Sequence, residues 1–212
     1  MNRDSKVALL TLAGLLFLGA CDDDATRPAG DTLSQQEAAA LTQILMTRTF
    51  EAAGEGEPLA RARGNPLRAA AVVDFENSVE LTLGCPLGGT WSAARTISGT
   101  VDTEAGTVDL QFGLVQIPDA CVVEPEEVDG TLTLTGAPDV TSSYAFSGNQ
   151  SGAFEAAGGI VGALDWATGD RSGRCEVDLQ FTGSGDGQGA LSMSVAGRIC
   201  QATISEQVSV TP

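Results

Sequence analysis

The chain contains no histidine, and few of its residues are aromatic or basic. Without histidine, the commonest general base at neutral pH, catalytic arrangements of the Ser-His-Asp and Cys-His kinds are excluded. Eleven Lys and Arg residues against 28 Asp and Glu residues give a net charge of −17. A field of that sign repels phosphate backbones, so we expect no nucleic-acid partner. Any enzymatic chemistry would therefore depend on carboxylates.

The chain also has no apolar run long enough to span a bilayer as a helix. Its longest apolar stretch, residues 7–18, contains Thr11 and Gly14, and a spanning helix needs about 20 apolar residues. The stretch follows a short segment that carries Arg3 and Lys6. A charged segment followed by an apolar run of this length is typical of a signal peptide.

The sequence Leu18-Gly19-Ala20-Cys21 ends this apolar run. It resembles the lipobox of bacterial lipoprotein precursors, in which a signal peptidase cuts before the cysteine and lipid is attached to its sulfur. The resemblance covers only the first 21 residues and implies that 1–20 is a signal peptide and that Cys21 carries a lipid. It also implies an extracytoplasmic protein, anchored in the bacterial cell envelope with the membrane as its partner. Whether that membrane is the inner or the outer one stays open.

Three segments precede the main domain. Residues 21–33 are polar and without periodicity, which predicts a flexible tether. Residues 34–50 begin with Ser34 and Glu37 in capping-box spacing and continue with apolar residues at helical spacing, which predicts a short amphipathic helix. Residues 51–70 are rich in Gly and Pro and hold three arginines, so we expect a loop.

From residue 71 to residue 206 the apolar period changes from 3.6 to 2, as in strands with one buried and one wet face. Short turn sequences separate the strands, and no helical crossover segment lies between them. The sequence therefore predicts a mainly β domain, an antiparallel meander of about nine to eleven strands closed as a barrel or folded as a sandwich. Residues 207–212 are predicted to be a tail.

The four cysteines after Cys21 are widely spaced, and none forms a Cys-x-x-Cys pair. In an oxidising compartment an even number of such cysteines indicates disulfides. We predict the pairs Cys85–Cys121 and Cys175–Cys200, the sequence-local choice among three possible connectivities. For the second pair, we expect a hairpin turn near residue 186 and a bulge near Gly197 that brings both sulfurs to one face.

Arg95 interrupts the apolar pattern, because it shares parity with Trp91 and Ile97 on the predicted inner face. A buried arginine needs a partner for its charge or a place at the mouth of the barrel. Arg95 is therefore a candidate contact for a ligand or partner, unless a strand end or bulge turns it to solvent.

Nothing else in the sequence indicates a specific activity. We expect a lipid-anchored, non-enzymatic β domain with a structural or protein-interaction role and with no catalytic residue, metal or cofactor. One alternative is a carrier that holds a small apolar ligand inside a barrel. A weaker alternative is a carboxylate-dependent hydrolase, although Trp91, Trp166 and Tyr144 share parity with apolar residues and are expected in the core. The acidic loops match no regular calcium-binding spacing.

Overall fold

The computed structural model describes residues 30–54, 72–126, 128–136, 140–149, 152–185 and 191–210. Within these residues the chain forms one helix and ten antiparallel strands, so the mainly β class and the preceding helix are as the sequence predicts. The elements are α1 (Gln35–Gly54), β1 (Val72–Gly84), β2 (Thr90–Asp102), β3 (Thr107–Asp119), β4 (Cys121–Val123), β5 (Leu132–Thr135), β6 (Val140–Asn149), β7 (Phe154–Thr168), β8 (Arg171–Gly185), β9 (Leu191–Ile199) and β10 (Ala202–Val210).

The strands form one sheet in the order β1-β2-β3-β6-β7-β8-β9-β10. The short strands β4 and β5 pair with each other, and β5 also pairs with β7. Within the described residues the path starts at β1 and ends at β10 without pairing these two strands. The sheet is therefore an open, curled one, which fits a sandwich or an open barrel.

The period-2 pattern gives the sheet an inner and an outer face. On β3, Leu110, Phe112 and Leu114 are buried, whereas the intervening Asp109 and Gln111 are exposed. The same alternation runs along β2, β6 and β8. Apolar side chains of one parity thus form a continuous core against α1.

Helix α1 begins with the predicted capping box. The backbone N–H of Glu37 donates to Ser34 Oγ at 3.2 Å, and the N–H of Ser34 donates to Glu37 Oε2 at 2.7 Å. The helix runs four residues beyond its predicted end and stops at Gly54. The prediction of a loop from residue 51 was therefore wrong for 51–54, and the rest of that loop, with the arginines at 61, 63 and 68, lies outside the described residues.

The predicted tail at 207–212 was also wrong in its first four residues, because β10 continues to Val210. Val208 and Val210 alternate with Gln207 and Ser209, and this segment pairs with β9. The signal peptide, the lipobox and Cys21 lie outside the described residues.

Two glycines allow neighbouring strands to approach closely. Gly99 on β2 and Gly197 on β9 have φ angles of 150° and 145°. A Cβ atom at either position would lie 2.1 Å from a backbone carbonyl oxygen, that of Asp109 or Asp178 respectively. Only glycine fits such positions, and glycine inside a strand commonly marks a close backbone approach.

The sheet has two ends, which we call the near end and the far end. The near end carries the β7–β8 turn at residues 169–170 and the β9–β10 turn at residues 200–201, and the far end carries the β2–β3 turn at residues 103–106. The N-terminal segment reaches the near end, where the N–H of Asp31 donates to the carbonyl oxygen of Ser172 at 3.0 Å.

Candidate functional site

Helix α1 packs along the inner face of the curled sheet. Leu41, Leu45 and Met46 have no exposed surface, and the helix contacts β2, β3 and β10. Thr49 on the same side of the helix is also fully buried, whereas Gln43 on the opposite side is exposed. The helix therefore covers the inner face of the sheet with one side and presents its other side to solvent.

A buried amide joins this helix to the sheet. The side chain of Gln116 on β3 accepts a hydrogen bond from Trp91 Nε1 at 3.1 Å. Its Nε2 donates to Thr49 Oγ1 on α1 at 3.0 Å and to Ser142 Oγ on β6 at 3.2 Å. Every hydrogen-bonding group of the amide is thus used, as buried polar groups require.

Arg95 lies on the inner face as predicted, with 3% of its surface exposed. Its Nη1 donates to the carbonyl oxygens of Ala52 and Ala53, at 3.1 and 2.7 Å, in the last turn of α1. The C-terminal carbonyls of a helix have no partners within the helix and attract a positive charge. Arg95 therefore caps α1 from inside the sheet, and its role as a ligand or partner contact stays a prediction.

The aromatic residues pack inside the sheet. Phe112 and Tyr144 stack with ring centroids 4.7 Å apart, and Phe50 from α1 lies 5.3 Å from Tyr144. Phe146 and Phe154 continue the cluster toward the far end. Burial raises the pKa of Tyr144 far above its usual value, although the positive charge of Arg95 acts in the opposite direction. Tyr144 therefore stays a neutral core residue.

The four cysteines form the two predicted pairs, Cys85–Cys121 and Cys175–Cys200. The second pair forms for a different reason from the expected one. The β8–β9 ladder is continuous through Gly197, so the bulge predicted there was wrong. Instead, Cys200 and Gln201 make the β9–β10 turn with φ angles of 48° and 71°, and this turn places Cys200 beside β8.

Arg171 attaches the N-terminal segment, residues 30–33, and the start of α1 to the near end of the sheet. Its guanidinium donates to both carboxylate oxygens of Glu37, at 2.8 and 3.2 Å, and to the carbonyl oxygen of Thr32 at 2.7 Å. It also lies 5.6 Å from the ring centroid of Trp166. Residues 30–33 were predicted to belong to a flexible tether, but these bonds and the burial of Leu33 join them to the domain. The sequence held no signal for this, because Arg171 is 134 residues from Glu37.

The outer face carries a groove of about 580 Å³ in the far half of the sheet. The groove crosses six strands in two rows of paired outer-facing residues. Its floor is low because Ala145 and Ala157 lie between the longer side chains of Gln111 and Gln207. The outer-facing residues that line it are Asp109, Gln111, Ala145, Ser147, Glu155, Ala157, Thr182, Ser184, Ser192, Ser194 and Gln207.

Charge is distributed unevenly between the two ends. The described residues include five arginines. Three of them lie at the near end of β8 and β9, namely Arg171, Arg174 and Arg198. Arg48 contacts the carbonyl oxygen of Gly84 at the near end of β1. The fifth, Arg95, is on the inner face. Within the described chain the far half therefore has carboxylates on its outer face and no basic side chain. The groove could not be predicted from the sequence, because its residues resemble those of any solvated strand face.

Among the described residues no group of three or more potential metal ligands comes together, and no helix there is long and apolar enough to cross a membrane. The carboxylates of Asp109 and Glu155 make no ion pair within the same residues. Comparison with family models, with curated proteins and with solved structures gave no match.

Proposed function

We propose that the protein is a lipid-anchored, non-enzymatic module of the bacterial cell envelope that acts through contacts of its outer surface with another protein. The observation that carries the proposal is the position of α1. Because the buried side of this helix covers the inner face of the sheet and is held there by Arg95 and Gln116, the outer face of the sheet remains available to a partner.

The N-terminal attachment supports the anchoring part of the proposal. The chain meets the domain at Gly30 and Asp31, nine to ten residues after Cys21. Nine residues span at most about 30 Å when fully extended. A lipid on Cys21 would thus hold the near end of the sheet next to the membrane and direct the far end away from it.

A Cys21→Ser variant tests the anchor. We expect the unchanged protein in the membrane fraction with a diacyl or triacyl adduct on Cys21, and we expect the variant to lose both the adduct and cleavage before residue 21. An unmodified Cys21 at the mature N-terminus, or a variant that stays with the membrane, would contradict anchoring by lipid.

Photo-crosslinking in the intact envelope tests the contact. A photoreactive side chain at Ala157 on the outer face is expected to give a discrete protein adduct, whereas one at Ser98, outer-facing on β2 and outside the groove, serves as the comparison. Failure of every outer-face position to give an adduct, together with an apolar molecule copurifying inside the domain, would favour the carrier alternative.

A further inference from the structure

We propose that the outer-face groove binds an extended, positively charged segment of a partner protein. The inference rests on the proposed function and adds to it the place and the chemistry of the contact. Two rows of side chains line the groove. Strand pairing aligns each row across β3, β6, β7, β8, β9 and β10.

The neutral side chains of the groove suit a polypeptide backbone. Thr182, Ser192 and Ser194 each offer a hydroxyl that donates and accepts, and Gln111 offers both functions in one amide. An extended peptide presents an N–H and a carbonyl at nearly every residue, and in this conformation they are not bonded to each other. The small side chains of Ala145 and Ala157 leave room for that backbone to approach the sheet.

The carboxylates indicate the sign of the partner's charge. Asp109 and Glu155 are exposed on two strands that flank Ser147 on β6. An ionised carboxylate only accepts hydrogen bonds, and the far half of the described sheet offers these two no basic side chain. Arginine or lysine side chains on a bound segment would supply the missing positive charge, and the net charge of −17 would speed their encounter.

Two other occupants fit the groove less well. A second copy of this chain would bring like charges together, which disfavours pairing of the two far halves. A sugar chain usually stacks on aromatic rings, and none of the outer-facing side chains that line the groove is aromatic. Phe146 also lines the groove, but it has inner parity and packs against Phe112 and Phe154.

The test measures binding of a labelled peptide of alternating arginine and serine to the full chain by fluorescence anisotropy. An alternating glutamate and serine peptide serves as the control ligand. We expect the cationic peptide to bind, to bind less tightly as salt rises from about 50 to 300 mM, and to bind roughly three- to tenfold more weakly to the Asp109→Asn/Glu155→Gln variant.

Two further variants separate the groove from general negative charge. Asp74→Asn/Glu76→Gln removes the same charge from exposed positions on β1 outside the groove, and we expect it to change affinity less than twofold. Ala157→Trp fills the floor without changing charge, and we expect it to weaken binding about tenfold while circular dichroism stays unchanged.

Equal weakening by both charge variants, full binding by Ala157→Trp, or no binding of the cationic peptide would overturn the proposal. Binding of a neutral oligosaccharide that Ala157→Trp abolishes would also overturn it, in favour of a glycan. A discrete crosslink from the outer face with no peptide binding in the groove would leave the proposed function standing and reject only this inference.

Discussion

Two buried polar side chains, Arg95 and Gln116, join α1 to the sheet. Arg95 Nη1 donates to the last carbonyl oxygens of α1, and the Gln116 side chain accepts from the indole N–H of Trp91. A purely apolar interior would leave these groups unsatisfied. Apolar contacts allow a helix to shift along a sheet, whereas a hydrogen bond requires a defined distance and angle between donor and acceptor. These two residues therefore fix where the helix lies within the sheet.

Replacement of Arg95 by methionine is expected to lower the free energy of unfolding by about 2 to 4 kcal/mol, because hydrogen bonds from a charged donor to buried carbonyls are lost. Arg95→Lys should recover part of this loss, since a single ammonium can still reach one carbonyl. Urea unfolding followed by tryptophan fluorescence measures the difference.

The matched control for this prediction is Arg198→Met, which makes the same chemical change at an exposed position of β9. We expect it to change the free energy of unfolding by less than about 0.5 kcal/mol. If Arg95→Met is no more harmful than Arg198→Met, Arg95 does not hold the helix in place.

At the scale of elements, the N-terminal segment is attached in part through the carboxylate of Glu37, which accepts hydrogen bonds from Arg171. Burial alone would raise the pKa of Glu37, but the hydrogen bonds from Arg171 and from Ser34 outweigh burial and hold the pKa of Glu37 below its usual 4.5. Because the folded pKa is the lower one, the stabilisation is fully present above the unfolded value. It is lost as the pH falls through the folded value.

Hydrogen exchange of the Asp31 amide, which bonds to Ser172, should report this loss. We expect its protection to be constant at pH values well above the usual pKa of 4.5 and to decrease as the pH falls below that value. Glu37→Gln should lower protection at neutral pH and reduce the pH dependence, whereas Glu51→Gln at the other end of α1 should leave that dependence unchanged. Equal pH dependence in both variants would contradict the role of Glu37.

The two disulfides close loops of similar length and should contribute similar stability. Their separations are 36 residues for Cys85–Cys121 and 25 residues for Cys175–Cys200. In the chain-entropy model, removal of either pair by alanine costs roughly 3 to 4 kcal/mol, and the two costs differ by only about 0.3 kcal/mol. Urea unfolding of the two double variants measures both values, and a difference above about 1 kcal/mol would show that local contacts outweigh loop entropy.

At the scale of the whole molecule, much of the fold follows from local patterns in the sequence. The capping box at Ser34, the period-2 strands and the short turns were sufficient to predict one helix and an antiparallel meander. Such features depend on neighbours within a few residues, which a single sequence displays. The pairing of Cys85 with Cys121 followed from proximity along the chain.

The contacts that position α1, the N-terminal segment and the groove are long-range and could not be predicted in this way. Arg95 meets Ala52 and Ala53 across 42 to 43 residues, and Arg171 meets Glu37 across 134. The groove needs six strands in register, and its serine, threonine and alanine residues are individually unremarkable as strand-surface residues. Its shape becomes visible only when the pairing sets Ala145 beside Ala157.

We propose that a lipid on Cys21 holds one end of the sheet at the membrane and that α1 covers the inner face, so that the outer face binds a partner. Native mass spectrometry of protein extracted from its own envelope tests this proposal. We expect a chain that begins at Cys21 with a diacyl or triacyl adduct, retains a protein partner and holds no small apolar molecule. An unmodified Cys21, or a stoichiometric apolar ligand in place of a protein partner, would contradict it.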